Sequence, residues 1–412
     1  MKSVFSLILI VSLLLTASLP VASVPLSDRA REELSLSAQS AVLVSAEDRE
    51  ILYEKNAHVP LGMASTTKLM TALVVCKHTS ASRVISIPPA ATGIEGSSVY
   101  LSAGEKITVE ELLYALLLSS ANDAAVALAL AIAPTVEDFC VLMNETASEL
   151  GLVNTHFVNP HGLYHEEHYT TAYELAIIAS AVLEVPLLRQ IVATKKATVS
   201  HDGKADQRLL VNHNRLLSSY EGAIGMKTGF TKKTGRTLVS AAERDDLTLI
   251  AVTLNAPDDW RDHATLLDYG FTHYEMVTFA EMGEFRYAMP ITGGAVSYAL
   301  LVNEEPLRLV LPKNRKQATH KVCSPMRFWY ASQKQPNPVA RVTFFCEGKE
   351  TTSPLLIHSE KGSPPPNQEG VSWSRLSCKN ILPTAAFFPV AERRKRSDWA
   401  RSRSMAPWQP WE

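Results

Sequence analysis

Hydrophobic positions along the chain change period several times, and each change marks an element. Two short apolar runs, Ser40–Ser45 and Glu50–Tyr53, flank the polar turn Ala46–Arg49 and predict a β-hairpin. A loop over Glu54–Met63 then leads into Leu69, Met70, Ala72, Leu73 and Val74, which are apolar almost all round and predict a buried helix. Ala81–Pro89 reads as a short strand and turn. Thr108-Val109-Glu110-Glu111 has the form of a capping box and opens a helix carrying Leu112, Leu113, Leu116 and Leu117. That helix stops at Ser119–Asn122, read as a loop, after which Asp123 is expected to cap a second apolar helix closed by Pro134. Thr135 and Thr171 are placed to cap two further helices. The first carries Phe139, Leu142, Met143 and Leu150 and stops at Gly151; the second ends before Pro186. Val192–Val211 alternates as strands do. Thr237–Ala242 and Leu247–Leu254 are strongly apolar on both sides of Glu243–Asp246, as expected for the centre of an antiparallel sheet. Asp258–Phe271 reads as a closing helix.

Beyond Ala280 the pattern is different: Pro, Gly and short β-rich runs replace the helices, at Ala295–Asn303, Leu307–Leu311 and Val339–Cys346. From about Ser359 it changes again. Lys361–Glu369 is Pro-rich and polar, Arg393-Arg394-Lys395-Arg396 is basic, and Trp399, Trp408 and Trp411 follow. We therefore expect a tail over 359–412 without packed structure. A basic, tryptophan-bearing tail is also suited to peripheral contact with an anionic membrane. At the other end, Lys2 precedes an apolar run from Val4 to about Leu15 and small residues around Ala17–Ser23. This is the form of a secretory signal peptide over residues 1–23, so the chain is expected to work outside the cytoplasmic membrane.

With 412 residues, 46% of them hydrophobic, the chain can bury one large core and a smaller one. A formal net charge of −2 gives no reason to expect nucleic acid as a partner. The five cysteines include no Cys-x-x-Cys pair, which argues against a zinc site. Cys76 and Cys140 lie in apolar helical runs and read as buried thiols, whereas Cys323 and Cys346 leave a disulfide open. The loop Asn159–His168 holds His161, His165 and His168 beside Glu166 and Glu167, but not at the spacing of a zinc motif, and we expect no metal there.

The candidate chemistry starts at Ser65 and Lys68, three residues apart at the head of the first buried helix. Residues so spaced share a face, which puts an amine beside a hydroxyl. Serine is a weak nucleophile until a base takes its proton, and a lysine serves when burial or a nearby cation lowers its pKa. The helix start adds free N–H groups and a positive dipole end. On its own the spacing also describes an ordinary helix start with an exposed lysine. Two later motifs change that: Ser120-Ala121-Asn122 between two apolar helices, and Lys227-Thr228-Gly229 before a strong strand pattern. The order Ser-x-x-Lys, Ser-x-Asn, Lys-Thr-Gly resembles the penicillin-binding and serine β-lactamase set. The flanking words Glu95-Gly96-Ser97-Ser98, Gly104-Glu105-Lys106, Asn122-Asp123-Ala124-Ala125, Asn159-Pro160-His161-Gly162-Leu163 and Gly225-Met226 narrow the match. Over roughly residues 38–275 the chain resembles the D-alanyl-D-alanine carboxypeptidases of serine peptidase family S11, low-molecular-weight penicillin-binding proteins.

The resemblance implies an α/β (α+β) fold of the β-lactamase/transpeptidase type. An antiparallel sheet would be flanked by helices with a helical subdomain, over residues 24–280, and a small β-rich domain would follow over 281–358. It also implies acyl transfer without a cofactor. Ser65 would attack the carbonyl between the terminal D-alanines of a peptidoglycan stem peptide, and Lys68 would take its proton. Ser120 would relay a proton to the departing D-alanine. Asn122 would orient Lys68 and the substrate amide, and Lys227 and Thr228 would hold the free carboxylate. Gly229 would let the substrate backbone approach, and the N–H groups of Ser65 and Phe230 would receive the oxyanion. β-Lactam antibiotics would acylate the same serine. One departure stands out: some relatives carry an arginine between two asparagines where this chain has His213 between Asn212 and Asn214, with Arg215 and Arg236 as possible substitutes. The alternatives are a serine β-lactamase, for which Glu166 or Glu167 would have to activate water, and a non-catalytic envelope protein that binds cell-wall peptides.

Overall fold

The computed structural model describes residues 34–201, 207–293, 298–314, 318–323, 329–330 and 340–357. The expected signal peptide over 1–23 and the tail over 359–412 lie outside these residues.

The first hairpin forms as expected, from β1 (Ser40–Ser45) and β2 (Ile51–Lys55). Two small antiparallel pairs follow: β3 (Val84–Ser86) with β4 (Lys106–Thr108), and β5 (Lys196–Val199) with β6 (Arg208–Val211). The long strands are β7 (Ala223–Thr231), β8 (Gly235–Arg244) and β9 (Leu247–Leu254). Together they make an antiparallel five-stranded sheet in the order β2-β1-β9-β8-β7. β9 is central and every residue in it is buried, because both faces of the sheet are covered. Val42, Val44, Val239, Ala241, Ile250 and Val252 face the helical core. On the opposite face Leu43 and Leu249 lie against Gly270 of the helix Asp259–His273.

The helix Lys68–His78 is the hub of the helical layer. It packs against the helices Val109–Leu118, Asn122–Ile132, Val136–Glu149 and Ala172–Glu184. Leu69, Met70, Ala72, Val74 and Val75 are all buried, so its nearly uniform apolarity reflects contacts on every side. Thr108, Thr135 and Thr171 cap their helices by accepting the N–H three residues on, and Glu111 completes the capping box. Two expectations change. Ala121, not Asp123, occupies the N-cap of Asn122–Ile132, because the Asp123 carboxylate is used elsewhere. And Val192–Ala193 is not strand but the end of a helix, Pro186–Ala193, whose apolar face is Leu188, Ile191 and Val192. Pro186 closes one helix and opens the next, since a proline at the first helical position forgoes no hydrogen bond.

Strand β10 (Tyr274–Ala280) follows the Asp259–His273 helix and pairs with β13 (Leu307–Pro312), so β-pairing with the later segment starts at Tyr274. The other late strands are β11 (Arg286–Thr292), β12 (Tyr298–Asn303), β14 (Thr319–Cys323), β15 (Trp329–Tyr330), β16 (Ala340–Cys346) and β17 (Lys349–Ile357). They form one sheet in the order β14-β16-β17-β12-β11-β15. Cys323 pairs with Arg341, whereas Phe345, beside Cys346, pairs with Thr319 at the far end of the same ladder. The two cysteine backbones are therefore separated by roughly 17 Å of strand, beyond the reach of a disulfide. Cys140 is buried as expected, whereas Cys76 is only part-buried at the edge of the core, and burial pushes their thiols up to about 11 and about 12. Among the described residues no single helix is long and apolar enough to cross a membrane.

Candidate active site

The first motif lies on a distorted helix start. Ala64–Thr67 forms a 3-10 turn that runs into the helix Lys68–His78. Ala64 has φ +47°, left-handed backbone that a residue with a Cβ adopts only under constraint. The constraint comes from the hydroxyls of the same word and of the sheet. Thr66 Oγ1 donates to Met63 O at 2.6 Å, Thr67 Oγ1 to Ala64 O at 2.7 Å, and Thr237 Oγ1 of β8 to Met63 O at 3.0 Å. Sequence reasoning passed over these threonines, although Thr66 and Thr67 sit inside the motif.

Lys68 is fully buried. Its Nζ lies 3.0 Å from Ser65 Oγ, 2.7 Å from Asn122 Oδ1 and 2.5 Å from the His161 carbonyl. Burial, and then the charge of Lys227, hold its pKa well below the ordinary lysine value, against a smaller opposing pull from Asp123. A neutral amine has two N–H donors and one lone pair. Asn122 and His161 can take the two donors, which leaves the lone pair for the Ser65 hydroxyl. That is the geometry of a general base and its nucleophile.

The flanking words hold this arrangement. Asn122 Nδ2 donates to Glu95 O at 2.6 Å and its backbone N to Ser97 O at 2.7 Å, which turns Oδ1 toward Lys68. A Cβ on Gly96, which has φ +92°, would lie 2.7 Å from Asn122 Nδ2. Asp123 accepts from Ser98 Oγ at 2.6 Å, Val99 N at 3.2 Å and Leu101 N at 3.1 Å, so it fastens the 98–101 loop and is not the helix cap. Buried Glu105 pairs with Arg208 at 2.5 Å and 2.9 Å, and Arg208 also donates to Val99 O at 2.9 Å, fixing the same loop from below. Ser120 is buried on the turn before Asn122, with φ +58°. Thr71 Oγ1 donates to Pro160 O at 2.6 Å and ties the Pro-His-Gly loop to the helix.

The third motif lies on edge strand β7. A register shift between Ala223 and Gly225, followed by Met226 at φ +98°, re-aims the strand just before Lys227. Lys227 is buried, its Nζ donates to Thr228 O at 2.9 Å, and burial pulls its pKa down to about 7. Gly229 also has a role within the fold. A Cβ there would collide with Thr237 Oγ1 and lie 2.9 Å from Ser65 N and 3.1 Å from Thr66 N. The missing side chain admits the protein's own helix start to the strand. Phe230 is 63% exposed at the rim.

Of the three basic residues considered for the carboxylate, Arg236 is committed: it pairs with Asp259 at 2.8 Å and its guanidinium lies over Trp260. Arg215 lies over the same ring, 6.0 Å from its centroid. His213 feels Lys227, whose charge adds to partial burial in lowering its pKa. In the histidine-rich loop, His161 Nδ1 accepts Leu163 N and His165 Nδ1 accepts Glu167 N. Among the described residues no three His, Cys, Asp or Glu side chains gather as a metal site. Glu166 and Glu167 are both exposed, so the loop turns carbonyls, not carboxylates, toward Lys68.

The family model described as D-alanyl-D-alanine carboxypeptidase, Peptidase S11, matches residues 27–258. The D-alanyl-D-alanine carboxypeptidase DacF of Bacillus subtilis is 33% identical over 322 residues, covering 76% of this chain and 82% of its own. DacC of Escherichia coli is 36% identical over 60% of this chain and 64% of its own. Among solved structures, penicillin binding protein 5 from Haemophilus influenzae aligns with TM-score 0.66 and 26% identity, over 79% of this chain and 98% of that one. The peptidoglycan synthesis regulatory factor PBP3 from Streptococcus pneumoniae aligns with TM-score 0.67 and 25% identity, over 79% and 99%. Motif order, the hydrogen bonds that join the motifs and these likenesses agree, and the chain belongs to the S11 family of D-alanyl-D-alanine carboxypeptidases.

Proposed function

We propose that this serine D,D-carboxypeptidase removes the terminal D-alanine from peptidoglycan stem pentapeptides through an acyl-enzyme on Ser65. The observation that carries the residue assignment is the buried, charge-depleted amine of Lys68 at 3.0 Å from Ser65 Oγ. Lys68 takes the Ser65 proton as Oγ bonds to the carbonyl carbon between the two D-alanines. The oxyanion faces the N–H groups of Ser65 and Phe230, and loss of one such donor typically costs about 10²–10³ in rate. As the intermediate collapses the C–N bond breaks, and the proton returns from Lys68 through Ser120 to the leaving amine. Lys227 and Thr228 hold the carboxylate of that residue, and Asn122 keeps Lys68 in line. Water then attacks the ester, with Lys68 again accepting the proton, and releases the shortened peptide. The scheme uses no cofactor.

A penicillin presents a strained amide beside a carboxylate, so it enters the same path as far as the ester. Its tethered remnant then blocks water. A β-lactamase would need a carboxylate placed to activate water, and Glu166 and Glu167 are exposed. The apolar run behind Lys2 supports export, with action at the cell wall of the bacterial envelope. The basic tryptophan-bearing tail supports a peripheral membrane contact.

Mass spectrometry after brief penicillin treatment tests the assignment. One penicillin mass is expected on the peptide containing Ser65, lasting minutes or longer, with D-alanine released from a synthetic pentapeptide. Ser65→Ala should carry no adduct. Rapid turnover of penicillin without a trapped adduct would overturn the reading in favour of a β-lactamase.

A further inference from the structure

We infer that His168 is a positioning residue for Ser65, acting through the Thr67 hydroxyl on the carbonyl of Ala64; this rests on the reading of Ser65 as the nucleophile. His168 is buried in the loop below the motif turn, its ring edge-on to Phe157 with centroids 5.8 Å apart. Its Nδ1 accepts the Val158 N–H at 3.1 Å, so the ring proton lies on Nε2. Nε2 lies 2.7 Å from Thr67 Oγ1 and donates to it, because the Thr67 proton is already given to Ala64 O at 2.7 Å. The relay runs one way: Val158 N–H to His168, His168 to Thr67, Thr67 to Ala64.

Its end point, Ala64, is one of the strained residues of the site. The Ala64 carbonyl and the Ser65 N–H belong to one rigid trans peptide, pointing opposite ways. Fixing the oxygen therefore fixes the direction of the N–H that receives the oxyanion. The relay is itself anchored. His168 is followed by Tyr169, bridged to His156, and by Thr170, bridged to Leu61 just ahead of the motif. Gly162, at φ +87°, lays the same loop against the Ala64 oxygen, and a Cβ there would lie 2.8 Å from Thr67 Oγ1. Burial and the neighbouring histidines, with Lys68, lower the His168 pKa to about 3, so the ring stays neutral, as its two hydrogen bonds require.

The test separates binding from acylation with a fluorescent penicillin, resolving a noncovalent Kd and an acylation rate constant. The variants are Thr67→Val, Thr67→Ser, His168→Phe and His168→Gln, each checked by circular dichroism and thermal melting. Thr67→Val and His168→Phe should acylate about ten- to a hundredfold more slowly, with Kd within about twofold, as expected for a misaligned group. Thr67→Ser restores the hydroxyl and His168→Gln restores a donor, and both should recover most of the rate. The Thr67→Val/His168→Phe double variant should be no slower than the slower single one, since both cut the same relay. Folded Thr67→Val with the wild-type acylation rate would overturn the inference, as would Thr67→Ser being as slow as Thr67→Val or the loss residing in Kd alone. If His168→Phe does not fold, the Thr67 pair decides. If the wild-type protein itself is not acylated at Ser65, it is the nucleophile reading that fails.

Discussion

Lys68 and Lys227 are both buried, yet burial serves them differently. Lys68 needs its proton removed to act as a base, and both burial and the nearby Lys227 charge favour that. Lys227 needs its proton to hold a carboxylate, and burial brings its pKa down to about 7. The free enzyme should therefore lose carboxylate affinity as pH rises through about 7, while base catalysis by Lys68 improves as pH rises through that residue's own lowered pKa. The expected kcat/KM profile is a bell whose falling limb belongs to Lys227. Bound carboxylate favours charged Lys227, so the same limb in kcat should lie at higher pH. Lys227→Arg keeps the cation at every pH and should abolish the falling limb. Lys227→Gln removes the cation beside Lys68, so the rising limb should move to higher pH. An unchanged rising limb in that variant, measured with a D-alanine release assay, would remove the electrostatic role assigned to Lys227. That Lys68 and Lys227 serve one site was legible in the sequence through the set of three motifs. The proximity of His213 to the same cation was legible only as a departure from a familiar word.

Elements read from local signals came out where the sequence put them. Thr108, Thr135 and Thr171 cap their helices because capping depends on residues within one turn. Misreadings arose where tertiary contacts outweighed the local signal. Asp123 is an excellent cap by type, but the loop amides of Val99 and Leu101 claim its carboxylate. Helix Pro186–Ala193 is short, and its Leu188, Ile191 and Val192 face is defined by the core it covers. The loops show the same dependence on neighbours that lie far off in sequence. Gly151 and Gly162 both have positive φ, but only Gly162 has a wall against it. Gly151→Ala should cost about 1 kcal/mol from backbone strain alone and leave penicillin acylation unchanged. Gly162→Ala carries that strain and also drives a methyl group into the Ala64 carbonyl, displacing the loop whose His161 carbonyl meets Lys68. Its acylation rate should fall by about 10²-fold or more. Thermal melting beside acylation kinetics checks both, and similar acylation by the two variants would show that the Pro-His-Gly loop does not set the site.

The molecule as a whole divides its apolar packing. One cluster runs from Val42 to Leu254 and takes in the helices around the Lys68 hub. A separate cluster, with Met289, Leu301, Leu307, Val342 and Leu355, lies among the late strands. At their seam an ion pair and hydrogen bonds join the parts among the described residues. Lys349 pairs with Glu50 of β2, and Lys313 donates to the Phe271 carbonyl at 2.7 Å. A cleft of about 430 Å³ opens beside it, lined in part by Glu47, Asp48, Asp246, Arg308 and Glu350. Parts with separate apolar clusters are expected to fold apart, and a half-buried pair such as Lys349–Glu50 adds little net stability because desolvation offsets its attraction. A cut after Ala280 would leave β10 without its partner β13, so a cut before Tyr274 is the cleaner test of whether the catalytic part folds by itself. A chain cut after His273 leaves no unpaired strand behind and keeps all three motifs. It should fold, and it should be acylated by penicillin at a rate within about threefold of the full chain, since none of the hydrogen bonds described at the site comes from beyond Asp259. The cut after Ala280 should be acylated as fast but aggregate more readily, through the exposed edge of β10. Acylation kinetics and light scattering on the two truncated chains measure both effects. A chain ending at His273 that is folded by circular dichroism but unreactive would show that the late β-strands help to build the site.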